Sequence, residues 1–166
     1  RGGLLAALAA RRRLIAVAGA HGKTTTSGMA AQVLIQAGWD PTVVVGGYLL
    51  SLGTNARSGT GSYFVAETDE SDGSFLHLTP EVAVITNIDR EHLNYYQTFE
   101  RLVAAFERFI GNLTPGGTLI RCSDDPVVQR ILSGVEGELL YGFDPAADVT
   151  AERLQLWVDG SRFRAA

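Results

Sequence analysis

Lysine is nearly missing from this chain: beside thirteen arginines there is one, Lys23. A sequence that meets its other needs for positive charge with arginine keeps a solitary lysine where arginine does not serve, provided the position carries chemistry. Cysteine is as scarce. The single Cys122 rules out an internal disulfide and fits a reduced, cytoplasmic setting. No apolar run approaches the roughly 20 residues that span a bilayer, so a membrane is not an expected partner. Basic clusters are also wanting. The net charge is -4, from 14 Lys+Arg against 18 Asp+Glu, and beyond Arg11-Arg12-Arg13 nothing offers a track for phosphates, which disfavours nucleic acid as a partner. The chain opens on Arg rather than Met, in a stretch that looks like mid-helix, and so reads as a piece of a longer protein.

What the sequence does contain, 46% apolar residues over a length of 166, suffices for one globular domain spanning 1–166. Gly2 to Arg13, rich in Leu and Ala and basic at its end, predicts a helix. Leu14 to Ala18 is a buried-type strand, followed by the glycine loop 19–22 and a helix from about Lys23 to Ala37 that stops at Gly38. Thr42 to Val45 predicts a second strand, broken by Gly46-Gly47, and Ser51 to Ser62 has the composition of a surface loop. Further strands are expected at 63–66, 82–86, 118–122 and 138–141, with helices over 98–113 and from Asp124-Asp125-Pro126 to about Leu132. Strands alternating with helices imply an α/β fold, a mostly parallel sheet with helices on both faces. Near the C-terminus the alternation of Leu154, Leu156 and Val158 before Asp159-Gly160 predicts an antiparallel hairpin with a type I′ turn.

The chemistry concentrates at Gly19-Ala20-His21-Gly22-Lys23-Thr24-Thr25, between a predicted strand and a predicted helix. There the loop amides face an anion, Lys23 reaches outer phosphates, and the Thr24 hydroxyl is suited to Mg²⁺. Lys23 itself reads as a solvent-facing lysine with little part in the fold. The pattern departs from the full phosphate loop, whose first glycine would fall at Val17. The competing reading is a glycine turn that happens to precede a lysine. Glu67 ends the third strand, where an acid commonly serves a phosphate-bound Mg²⁺, and Asn87 ends the fourth, with His92 five residues on. Taken singly, each also reads as a solvated loop residue.

These residues carry a resemblance. Gly19 to Thr26, Leu52-Gly53-Thr54-Asn55-Ala56, the acidic run Ala66 to Leu76, and Thr86-Asn87-Ile88 with His92 are similar to the Mur ligases, the amide-forming enzymes of peptidoglycan precursor synthesis. The acidic run resembles the branch that joins L-alanine to UDP-N-acetylmuramate. Ala20 stands where that loop commonly has threonine, a side-chain change at a place where backbone does the binding. The resemblance implies the P-loop NTPase-like central domain of a three-domain ligase, cut short at its C-terminal end. It implies ATP held by Gly19, Ala20, His21, Gly22, Lys23, Thr24, Thr25 and the loop containing Asn87. Mg²⁺ would be held by Thr24, Glu67 and His92, and Asp69, Ser71 and Asp72 would lie toward the UDP-sugar acid. Catalysis would rest on Lys23, Glu67 and His92, with an acyl phosphate as intermediate. Several members hold a second metal with a carbamylated lysine, and a chain whose single lysine is Lys23 has no residue for that role. Two rivals stand beside this reading: the murein-tripeptide recycling ligase of the same family, and a phosphate-loop module without ligase chemistry.

Overall fold

The computed structural model describes residues 2–131 and 134–166. Nine strands form one sheet in the order β3-β2-β4-β1-β5-β6-β7-β8-β9, with β1 (Arg13–Ala18) near its centre between β4 (Tyr63–Glu67) and β5 (Val82–Ile85). β2 (Thr42–Leu49), β6 (Thr118–Cys122) and β7 (Leu139–Gly142) extend it in parallel, while β3 (Thr54–Arg57) and β9 (Ser161–Ala165) pair antiparallel with β2 and β8 (Val149–Leu156). The expected α/β class and C-terminal antiparallel hairpin are therefore present.

Alternation along the central strands feeds two cores. Leu14, Ala16 and Ala18 of β1, with Phe64, Ile85 and Leu119 of its neighbours, face Phe75 and the buried stripe Leu102, Phe106 and Phe109 of α4 (Phe99–Ile110). Val43, Val45 and Val65 face the other way, onto Ala31 of α2 (Lys23–Gln36). The sheet thus carries helices on both faces. The parallel registers Val17↔Glu67 and Ala18↔Ile85 bring the carboxyl ends of β1, β4 and β5 to one edge, so their loops converge.

Five sequence expectations need correction. The first helix, α1 (Gly2–Ala9), ends early because the arginines are drawn into tertiary contacts. Arg12 donates to Thr42 Oγ1 (2.7 Å) and to the carbonyls of Gly59 and Gly61, and Arg13 opens β1 paired with Glu81. β2 does not break at Gly46-Gly47 but runs on to Leu49, and part of the expected loop is β3, which pairs with β2 on both sides of a register shift between Val44 and Leu49. The polar composition of 54–57 marks an edge strand rather than a loop, and the two glycines fall within the irregular stretch. α4 is shorter than 98–113, starting after its Thr98 cap and closing at Gly111. In the terminal hairpin the Trp157 N–H bonds the Gly160 carbonyl (2.9 Å) around Val158-Asp159, and neither Asp159 nor Gly160 has the positive φ of a type I′ turn. The helix α5 (Pro126–Ile131) follows its Asp125 cap, and the expected end at Leu132 lies outside the described residues.

Arg121 of β6 is 2% exposed and is held by Glu138 through Nε–Oε2 (2.9 Å) and Nη2–Oε1 (3.2 Å). The Arg121 hydrogen bond holds the Glu138 carboxyl below its ordinary value, against the opposing pull of burial. A depressed carboxyl stabilises the fold above its unfolded pKa of about 4.3 and loses that contribution as pH falls through the lower folded value. Glu138→Gln is expected to destabilise the domain at pH 7 by about 3 kcal/mol. The difference in melting temperature from the wild type should shrink steadily in melts between pH 5 and pH 3.

Candidate active site

The loop after β1 is built by close backbone approach. Gly19 has φ +136°, and a Cβ there would lie 2.2 Å from Thr86 Oγ1 and 2.8 Å from the Asn87 carbonyl. The end of β5 then grips the loop. Asn87 Oδ1 accepts from the His21 N–H (2.8 Å), its Nδ2 donates to the His21 carbonyl (3.0 Å), and the Thr86 hydroxyl donates to the same carbonyl (2.7 Å). Gly22, at φ 81°, is the N-cap of α2 and brings no side chain to cap it, so the first-turn amides remain for an anion. Gly19→Ala is expected to lower stability by at least about 2 kcal/mol and, if the loop holds the phosphates expected from the sequence, to abolish that binding, because both φ and space forbid the methyl. Thermal melts and calorimetric titration read the two effects.

Two pairs occupy the mouth of the loop. The Thr24 hydroxyl donates to Glu67, with both carboxylate oxygens at 2.9 Å, and Glu67 Oε2 also accepts the Gly46 N–H (2.7 Å). A Cβ on Gly46 would come within 3.0 Å of Glu67, and one on Gly47 within 3.0 Å of Thr24 Cγ2, so this double glycine is what lets β2 lie against the pair. Lys23 Nζ donates to the Gly19 carbonyl (2.6 Å) and to Glu70 Oε1 (2.7 Å), and His92 Nε2 lies 3.4 Å from the same Glu70 oxygen. The Lys23 side chain is 16% exposed, so it is not the solvent-facing lysine expected from the sequence.

The named candidates therefore gather at one sheet edge, in two groups: Thr24 with Glu67, and Lys23 with Glu70 and His92. His92, with φ 56°, starts α3 (Leu93–Tyr96), and His21 lies outside against Asp89 (3.6 Å) and Glu91 (3.8 Å). Thr25 is exposed on the first turn of α2. Asn87 has its side chain engaged with the His21 backbone and so acts on the shape of the loop. Asp69 and Asp72 accept the N–H groups of Ser71 (3.0 Å) and Ser74 (2.9 Å), a turn-forming role, and the Ser74 hydrogen bonds hold the Asp72 carboxyl below its ordinary value. Asp69 and Glu67 also border an open cleft of about 410 Å³ between α1 and β2.

Sequence reasoning missed Glu70, Thr86 and the Gly46 amide. Nothing in an acidic run distinguishes the one acid that turns inward; Glu70 is 2% exposed and its Oε2 has no hydrogen-bond partner. Among the described residues no three His, Cys, Asp or Glu side chains come together as a preformed metal cage. Carboxylate and hydroxyl oxygens with a bare buried Oε2 nevertheless suit a hard divalent cation whose other ligands come from phosphate and water. The residues present fit Mg²⁺ in that form.

A parallel sheet whose first strand leads through a glycine loop and one lysine into a helix defines an α/β domain of the phosphate-loop class. Residues 17–166 match the model of the Mur ligase middle domain, and the chain belongs to the Mur ligase family. It is 52% identical over 149 residues to the UDP-N-acetylmuramate--L-alanine ligase of Carboxydothermus hydrogenoformans, covering 89% of this chain and 32% of that protein. It is 49% identical over 157 residues to the ligase of the same name from Aquifex aeolicus, covering 94% and 35%. The chain thus spans about a third of the length of these relatives. Among solved structures, the UDP-N-acetylmuramate-alanine ligase of Thermotoga maritima superposes with TM-score 0.77 at 27% identity, over 93% of this chain and 34% of that one. The UDP-N-acetylmuramate:L-alanyl-gamma-D-glutamyl-meso-diaminopimelate ligase of Neisseria meningitides superposes with TM-score 0.85 at 23% identity, over 99% and 55%, a likeness of fold alone. No described helix is long and apolar enough to cross a membrane.

Proposed function

We propose that this chain is the ATP-binding middle domain of a cytoplasmic ligase that joins L-alanine to UDP-N-acetylmuramate, with ADP and phosphate released. The observation that carries the reading is the pairing of Lys23 and Thr24, consecutive at the helix start, with the carboxylates of Glu70, in the loop after β4, and Glu67, at the end of β4. The identity of about 50% to ligases of that name supports the choice of substrates.

In such a reaction the sugar acid's carboxylate takes the γ-phosphoryl group of ATP, and the amine of L-alanine then displaces phosphate from the acyl phosphate. The first step brings two anions together, so neutralising and aligning them is the main task of the site. The uncapped amides of α2 and the Lys23 ammonium supply fixed and mobile positive charge for the phosphates. Bound Mg²⁺ would screen charge on the transferring phosphoryl group, held from this chain by Thr24, Glu67 and His92. Asn87 and Thr86 keep the loop in shape through the His21 backbone, and the double glycine lets Glu67 stay close to Thr24. The cleft beside Glu67 and Asp69 gives the acyl substrate an approach.

The test is ADP release by the whole protein. Release should require both UDP-N-acetylmuramate and L-alanine. Release that needs neither would leave a nucleotide-binding module without ligase chemistry, and release supported by a muramyl tripeptide instead of L-alanine would assign the recycling reaction.

A further inference from the structure

Glu70 and Arg121 are the charged residues buried among those described, and their situations differ. Arg121 has Glu138 on two nitrogens. Glu70 has the Lys23 ammonium on Oε1, His92 Nε2 at 3.4 Å from that oxygen, and nothing on Oε2. Its backbone is pinned as well, since the Glu70 carbonyl accepts both the Gly73 N–H (3.1 Å) and the hydroxyl of buried Tyr96. The carboxylate is thus held inside the site, where Ala20, Asp89, Glu91 and His92 join it around a small pocket.

Lys23 is wanted in two places. If ATP binds as proposed above, the ammonium is drawn toward the phosphates, and Glu70 loses the partner that offsets its burial. A buried carboxylate stripped of its counter-ion is heavily penalised, and here the neighbouring Asp89 and Glu91 add to the negative potential. Metal-free nucleotide brings only more negative charge. A divalent cation arriving with the nucleotide brings the compensation, and the bare Oε2 and the adjacent His92 are the groups that meet it.

We infer that Glu70 makes nucleotide binding conditional on the divalent cation: it releases Lys23 to the phosphates only when a cation takes the lysine's place. This rests on the ATP reading and assigns to one residue the selection of the metal complex over the free nucleotide. Glu70 is here a binding residue: it holds Lys23 while no cation is present and meets the cation when one arrives.

Calorimetric titration with the β,γ-imido analogue of ATP, in excess Mg²⁺ and in EDTA, reads the effect directly. The wild type should favour the Mg²⁺ complex by about 100-fold or more, and Glu70→Gln should reduce the preference below about 10-fold, chiefly by binding the metal-free analogue more tightly. A merely structural role predicts weaker binding in both conditions. An unchanged preference in a Glu70→Gln protein that melts normally overturns the inference and leaves the ATP reading intact. Absence of binding by the wild type in both conditions overturns the ATP reading and this inference with it. The solitary lysine provides a second measurement that needs no variant. With ¹³C-labelled lysine this chain gives one side-chain signal, which should stay in place when the metal-free analogue is added and move when Mg²⁺ accompanies it. A signal that moves equally in both cases overturns the inference even if Glu70→Gln fails to fold.

Discussion

Lys23→Ala is expected to reduce the proposed ATP-dependent ligation by the whole protein by at least about 10³-fold, the scale on which removal of a preorganised charge at a reacting oxyanion is felt. The structure adds a second effect that a solvent-facing lysine would not have. With the ammonium gone, Glu70 is left as a buried carboxylate with only the His92 imidazole nearby, and the domain should lose about 3 kcal/mol of stability. The two effects separate in the double variant Lys23→Ala/Glu70→Gln, which removes the stranded charge. It should recover most of the stability and none of the turnover. Melting curves and steady-state ADP release on the single and double variants check this. Near-normal turnover in Lys23→Ala would remove the phosphate-loop assignment, and a single variant as stable as the wild type would remove the Lys23–Glu70 ion pair.

Much of the fold was legible because its signals are local. Leu14 to Ala18 and Val82 to Ile85 are unbroken apolar runs that suit strands buried on both faces, and Leu102, Phe106 and Phe109 keep helical spacing. The elements misread are those decided by partners distant in sequence. Arg12 and Arg13 suit a helix end by charge, yet the acceptors at Thr42, Gly59 and Glu81 hold Arg12 outside the helix and Arg13 at the start of β1. Thr54 to Arg57 is polar because it forms the sheet edge, and no pattern within the segment announces its pairing with β2. Gly46-Gly47 carried the right signal with the wrong meaning. Glycine in a strand marks either a break or a close approach, and only the neighbouring Thr24 and Glu67 decide for the second. The residues gathered at the candidate site divide in the same way. Lys23, Thr24, Glu67 and His92 were accessible from type and position at loop and strand ends. Glu70 was not, because the inward turn of one acid among Asp69, Glu70 and Asp72 depends on Tyr96 and Gly73 fixing its backbone.

The carboxylate at 67 should be almost as consequential as the lysine, for a different reason. Glu67 does not neutralise a buried cation; its oxygens meet the Thr24 hydroxyl and the Gly46 amide, both neutral donors. Loss of its charge therefore removes little from the fold, and Glu67→Gln preserves length and can still accept from Thr24. What the variant lacks is negative charge at the place where the proposed reading puts a divalent cation. Turnover of the whole protein is expected to fall by about 10²–10³-fold, with the melting temperature nearly unchanged and the Mg²⁺ requirement moved to higher concentration. Raised Mg²⁺ should restore part of the loss, because weakened metal binding is a deficit of occupancy before it is a deficit of chemistry. Glu67→Asp withdraws the carboxylate by one methylene from Thr24 and Gly46 while keeping the charge, so it should be impaired less than the amide if charge governs, and more if contact with Thr24 governs. A Mg²⁺ titration of both variants against the wild type decides between these. If Glu67→Gln follows the wild-type Mg²⁺ curve at reduced amplitude, Glu67 serves to place Thr24 and is not a ligand of the metal.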